Sequence, residues 1–215
     1  LLFYTSVEEG GAGCAGCHSG DFFTDENFHN IAMIQLGAGK GDGDDGTDDF
    51  GRFRETGDPE HKYAFRTPTL LNVAETQPFG HAGAYDTLEG VIRHHLDPQN
   101  AIANYFASSG TWCQNTAQFS AVTDCDALYP SAEFNTIKAL ATLQIDQSAG
   151  RSELVDADLG DSQVADLVAF MEALTDSCLK DPGCLAKWIP DTSTTGAAGL
   201  QLNAVDRNSQ PLVSN

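Results

Sequence analysis

The chain has 215 residues, 41% of them apolar, which suffices for one sizeable core, and no stretch approaches the ~20 consecutive apolar residues of a membrane-spanning helix. With 31 acidic against 11 basic side chains the formal charge is -20, which works against binding nucleic acid or anionic lipid and favours basic partners.

Leu1 to Ser6 offers no basic segment and too short an apolar run for a secretory leader, so a processed chain or a piece of a longer one is expected. A helical turn or two then leads to Gly20, and within it stands Cys14-Ala-Gly-Cys17-His18. This spacing sets two thiols along one porphyrin edge, where they add across the vinyl groups, and makes the adjacent imidazole an axial ligand of the iron. A thioredoxin-like C-x-x-C needs no following histidine and sits at a strand-to-helix junction, and zinc needs a second ligand pair. One covalent c-type haem is therefore the reading, which places the chain in the periplasm, outside the cell or at its surface, where spare thiols oxidise. Of the other cysteines, Cys113 with Cys125 and Cys178 with Cys184 read as local disulfides, although four cysteines allow three pairings.

Asp21 to Asn30 is rich in aromatic residues and is expected to wrap an edge of the macrocycle, with His29 a hydrogen-bonded structural histidine. Gly37 to Asp49 lacks any apolar period and reads as a solvated loop whose aspartates do not match the calcium-loop pattern of an EF-hand. Residues 65 to 85 read as an ordered, irregular segment. Asp86, with Glu89 three places on, predicts the start of a helix of about ten residues ending at Asp97-Pro98. Its apolar positions Leu88, Val91 and Ile92 are continued by His95, while His94 lies about 100° around the helix. A histidine on such a stripe is either a neutral, hydrogen-bonded core residue or a metal ligand, and an iron short of one ligand favours ligation by His95.

Residues 99 to 130 read as a loop-rich excursion containing Trp112. Helices are predicted over Ser131 to Gln147, with Phe134, Ile137 and Ala141 on its apolar face, and over Ser162 to Thr175, with Val164, Leu167, Val168 and Met171. Met171 and Met33 fit core filling better than ligation. The expected organisation is a haem domain over 1–185 and an extended polar tail over 186–215.

The ordered motifs Gly-Cys14-Ala-Gly-Cys17-His18-Ser-Gly, Phe-Thr-Asp, Phe-His29-Asn-Ile, Asp-Phe-Gly-Arg, Thr-Gly-Asp-Pro, Phe65-Arg66-Thr-Pro-Thr-Leu and Thr87-Leu-Glu-Gly-Val-Ile-Arg-His94-His95 resemble the C-terminal haem domain of bacterial di-haem cytochrome c peroxidases and their MauG-type relatives. The resemblance is close over residues 8 to 98 and weaker up to about Cys178. It implies a mainly α, cytochrome c-like domain with long ordered loops and few strands, serving as the electron-transfer haem beside a peroxidatic haem held by a separate N-terminal domain. It also implies a second axial ligand from the helix after Thr-Leu-Glu. Relatives place Met or Tyr there, and here the position falls on His95, giving a bis-histidine iron of lower potential than a His/Met pair.

By the same resemblance His81 lies near the haem and the domain interface, although Ala82 stands where relatives have Asp. Thr76 and Pro78 match positions that help hold an interdomain calcium, and Arg66 pairs with a haem propionate through its fork geometry, the alternative being a surface salt bridge. The expected function is to relay electrons to or from a second haem or a redox partner such as a small basic cytochrome. A free-standing monohaem carrier is the competing reading. An iron held by both His18 and His95 leaves no open position for peroxide, so the chain by itself is expected to be a poor peroxidase.

Overall fold

The structure, a computed structural model, describes residues 1–37 and 39–189. It divides into two compact units, Leu1–Leu174 and Thr175–Asn215, and most of the predicted tail, from residue 190 on, lies outside the described residues. The described residues are mainly helical with long ordered loops, as predicted, and their one sheet is a pair of two-residue strands. Strand β1 (Phe28–His29) runs antiparallel to β2 (Phe65–Arg66), with Phe28 opposite Arg66 and His29 opposite Phe65. No described helix is long and apolar enough to cross a membrane.

Short helix α1 (Phe53–Thr56) precedes the central helices α2 (Leu88–Leu96) and α3 (Pro98–Tyr105). Thr87, rather than the predicted Asp86, caps α2 by accepting a hydrogen bond from the Gly90 N–H at 3.1 Å. The Asp86 carboxylate instead accepts from the Ala117 N–H, tying the start of α2 to the next loop. Pro98 ends α2 as predicted but also opens α3. Asp97 accepts from the Asn100 N–H at 2.9 Å, and the proline occupies the first helical turn, where its missing N–H costs nothing. The predicted loop from residue 99 is thus helical as far as Tyr105.

Helices α4 (Cys125–Leu128), α5 (Ala132–Ser148) and α6 (Asp161–Ala173) complete the first unit. In α6 the predicted face is the observed one, with Val164, Leu167 and Met171 buried. In α5 it is not: Phe134 is 63% exposed and Ile137 47%, while Ala132, Asn135, Thr136, Ala139 and Leu143 face inward. The reason is polar. Thr136 Oγ1 accepts from the Gln35 N–H at 2.9 Å and Asn135 Nδ2 donates to the Thr47 carbonyl at 2.9 Å, so hydrogen bonds to the loops select a face that hydrophobicity alone does not. In the second unit a 3₁₀ turn, Ser177–Lys180, and α7 (Pro182–Leu185) are clipped by the Cys178–Cys184 disulfide.

The first unit holds two apolar clusters. One gathers Ile34, Tyr63, Ile102, Tyr105, Phe106, Trp112 and Leu143 around the Cys113–Cys125 disulfide. The other gathers Phe3, Leu70, Ile92, Leu96, Val164, Leu167 and Met171, with Cys14, Ala15 and Phe23 packed against it. The aspartate-rich loop is only partly solvated, against expectation. Asp48 is 0% exposed, 2.5 Å from Lys138 Nζ on α5, and accepts from the Tyr63 hydroxyl at 3.1 Å. A buried carboxylate with two such partners pins the loop to the helix.

Candidate haem site

The segment before the two thiols is folded back on itself. The Ala12 N–H bonds the Leu2 carbonyl and the Ala15 N–H bonds the Phe3 carbonyl. Gly11 makes this approach possible, since a Cβ there would fall 2.1 Å from the Thr5 carbonyl oxygen. From Cys14 the chain makes one turn, with the His18 N–H donating to the Cys14 carbonyl at 2.9 Å. That turn brings Cys14, Cys17 and His18 together. Both thiols are free and partly buried, whereas the other four cysteines are in disulfides.

Burial pushes both thiols up to about 11, and Asp25, Glu153 and Cys14 push Cys17 the same way. A redox-active or nucleophilic C-x-x-C works through a lowered thiol pKa, so these cysteines are not tuned for that chemistry. His18 is locked by a hydrogen bond from Nδ1 to the Phe23 carbonyl at 3.1 Å. A carbonyl only accepts, so Nδ1 carries the proton and Nε2 keeps its lone pair. Burial holds His18 down at about 4; the Phe23 and Pro68 carbonyls and Asp25 oppose that, and repulsion from His95 adds to it.

His95, in the last turn of α2, repeats the arrangement: Nδ1 donates to the Val91 carbonyl one turn back at 2.8 Å, which leaves Nε2 as the lone-pair nitrogen. Burial lowers its pKa, against the pull of the Val91 carbonyl, so the ring is neutral. His94 differs in kind. It is 0% exposed, Nε2 donates to the Ile31 carbonyl at 2.9 Å, and Nδ1 accepts from the Tyr85 hydroxyl at 2.9 Å. Burial and repulsion from His95, opposed by the Ile31 carbonyl, hold it down at about 3. With both nitrogens engaged, His94 has none to offer a metal.

The donor set fits a c-type haem. Two thiols free of any disulfide and two neutral imidazoles, each with Nδ1–H anchored to a backbone carbonyl, are the groups such a cofactor uses.

The remaining predicted residues lie around this set. His29 is the structural histidine expected, its Nε2 2.7 Å from Asp25 Oδ2. Burial works to raise Asp25, but hydrogen bonds from His29, the Asn27 N–H and Thr67 outweigh it and hold the carboxyl at about 2. Cys17, Asp25 and His29 also bring one potential ligand atom each within 4.8 Å of one another. His81 stacks on Phe65, with ring centroids 3.6 Å apart, and bonds Asp49 Oδ2 at 3.0 Å. Arg66 pairs with Glu26 at 3.0 Å on the surface. The Thr76 hydroxyl donates to the Val73 carbonyl at 3.0 Å, and Pro78 follows a cis peptide bond. Met33 is buried against Gly80, and Met171 sits in the second apolar cluster.

Sequence reasoning did not foresee Phe23 O, Ile31 O or Tyr85 as the groups that fix the histidines. Only the Val91–His95 pair carries a legible signal, the four-residue spacing of a helix.

No family profile matches the chain. Among curated proteins, the methylamine utilization protein MauG of Methylorubrum extorquens is 37% identical over 87 residues, covering 40% of this chain and 22% of that protein. The cytochrome-c peroxidase IdrP1 of Denitromonas iodatirespirans is 31% identical over 103 residues, covering 39% of this chain and 27% of that protein. The chain therefore matches only about a quarter of these relatives' length. A crystal structure of a MauG-like protein associated with microbial copper homeostasis is 24% identical, with a TM-score of 0.49, covering 83% of this chain and 46% of that one.

Proposed function

We propose that this chain, similar over 40% and 39% of its length to a MauG and a cytochrome-c peroxidase, holds one haem c and relays electrons through it to or from a second haem or a redox partner. Cys14 and Cys17 would hold it through thioether links, and His18 and His95 would ligate its iron. The observation that carries the reading is the shared state of the two imidazoles: each is neutral, buried in part, and held by Nδ1–H on a carbonyl, so that Nε2 is the nitrogen that would ligate. Bound there, the haem supplies a one-electron iron couple.

The chain's own residues then do four things. The turn from Cys14 to His18 fixes the sulfurs and the proximal ring on one side. Helix α2 presents the distal ring from a rigid element. The apolar cluster of Ile92, Leu96, Val164 and Leu167, against which Cys14 and Ala15 pack, would keep water from that side of the group. With His18 and His95 both bound, the iron would have no open position, and this chain would relay electrons rather than cleave peroxide. Arg66 is the proposed partner of a haem propionate. Its present bond to Glu26 is a surface pair worth ~0–1 kcal/mol, so exchanging it costs little. The disulfides support an oxidising compartment such as the periplasm.

Replacing His95 with Ala tests the assignment. The ferric protein is expected to change from a low-spin spectrum to one that responds to added cyanide or imidazole, while His94→Ala leaves the native spectrum in whatever fraction folds. An unchanged low-spin spectrum in His95→Ala removes this residue from the iron.

A further inference from the structure

On the far side of His95 the aromatic rings continue without a break. The His95 and His94 ring centroids are 6.3 Å apart, His94 and Tyr85 5.6 Å, Tyr85 and Tyr105 5.6 Å, and Tyr105 and Trp112 5.9 Å. The Tyr85 hydroxyl also bonds His94 Nδ1 at 2.9 Å, adding a direct link between those two rings. His94, Tyr105 and Trp112 belong to the packed interior, at 0%, 4% and 2% exposed, and the partly buried Tyr85 packs against the same core.

At Trp112 the series reaches a surface cavity of about 240 Å3 lined by Trp112, Ser109, Asp126, Tyr129 and Glu133, where the Tyr129 ring lies 6.4 Å from the indole. There the Trp112 Nε1–H donates to Asp126 Oδ1 at 2.7 Å, so a carboxylate sits against the indole. That carboxylate stabilises positive charge on the ring as an electron is withdrawn, and the indole keeps its proton. Tyr105 has no such support, because its hydroxyl is buried without a hydrogen-bond partner; it contributes its ring and not its oxygen.

We infer that Trp112, backed by Asp126, is the electron port of the chain, joined to the iron ligand His95 through Tyr105, Tyr85 and His94. The inference rests on the haem reading above. In the oxidative direction a one-electron oxidant at the cavity removes one electron from Trp112, leaving an indole radical cation with its N–H intact. Trp112 then takes one electron from the ferrous iron along the ring series and returns to its resting state. No bond forms or breaks, and the net change is one electron moved from iron to oxidant. The acidic rim of the cavity, Asp126 and Glu133, selects a positively charged partner.

The test uses the full haem-loaded chain with Ser109→Cys carrying a ruthenium polypyridyl label. Ser109 is exposed and lines the cavity. Flash-quench generates the ruthenium(III) oxidant at the port, and transient absorption follows the indole radical and the oxidation of ferrous haem. Trp112→Phe and Tyr105→Leu are expected to slow haem oxidation by about tenfold or more, while Tyr105→Phe and Tyr4→Phe leave it unchanged. Asp126→Asn, at an exposed position whose loss does not empty the core, is expected to lower the yield of the indole radical. Equal rates in the unsubstituted, Trp112→Phe and Tyr105→Leu proteins with intact Soret bands, or equal radical yield in Asp126→Asn, overturn the port alone. A labelled protein without a Soret band overturns the haem reading and the port together.

Discussion

At His94 both ring nitrogens are spent inside the fold, on the Ile31 carbonyl and the Tyr85 hydroxyl, whereas at His95 only Nδ1 is. The two adjacent side chains therefore respond differently to acid. The ordinary value of 6.5 is lowered to about 3 for His94, so between those values the unfolded chain binds a proton that the folded chain refuses. His94 thus contributes its full stabilisation above about pH 6.5 and loses it as the pH falls toward 3. Asp25, lowered from 3.8 to about 2, adds a loss of the same sign at lower pH. Denaturant unfolding should give a lower midpoint at about pH 5 than at about pH 7, with a flatter dependence in His94→Gln. An equal slope in both proteins would contradict the burial of a neutral His94. The Asp48–Lys138 pair makes a second residue-scale prediction. Lys138→Met leaves a fully buried carboxylate without its cation and should cost about 3 kcal/mol in unfolding free energy. A loss under about 1 kcal/mol would mean that the pair behaves as an ordinary surface bridge.

At the scale of elements, α5 shows where hydrophobic periodicity misleads. Phe134 and Ile137 stand three apart, the spacing of a buried stripe, yet both are exposed because Thr136 and Asn135 are needed inside to satisfy the Gln35 N–H and the Thr47 carbonyl. Phe134→Ser should therefore change stability by no more than about 0.5 kcal/mol, while Leu143→Ala, at a site 1% exposed, should cost roughly 2–5 kcal/mol. The reverse order in chemical denaturation would restore the stripe read from sequence. In α6 the same rule succeeds, since Val164, Leu167 and Met171 face apolar neighbours. Helix α3 is hidden in the sequence for a different reason. Pro98 signals a stop, but a proline preceded by Asp97 is equally a start, and the Asn100 N–H bound to that carboxylate decides between them.

For the whole molecule, the parts legible in sequence are those set by local spacing: the Cys14–His18 turn, the two short-range disulfides and the helix carrying His95. What was not legible depends on contacts distant along the chain. The loop ending at Asp48 is pinned by Lys138, 90 residues on. His94 is closed off by Ile31, 63 residues back. Arg66 and His81 are placed beside Glu26 and Asp49, partners that no local pattern announces. The central claim is that Cys14 and Cys17 carry a covalent haem, and acid-acetone extraction of the purified chain followed by the alkaline pyridine haemochrome spectrum tests it most directly. The account predicts that the haemochrome bands stay with the precipitated protein and vanish in Cys14→Ser/Cys17→Ser. Bands recovered in the solvent, or absent from both fractions, would contradict it.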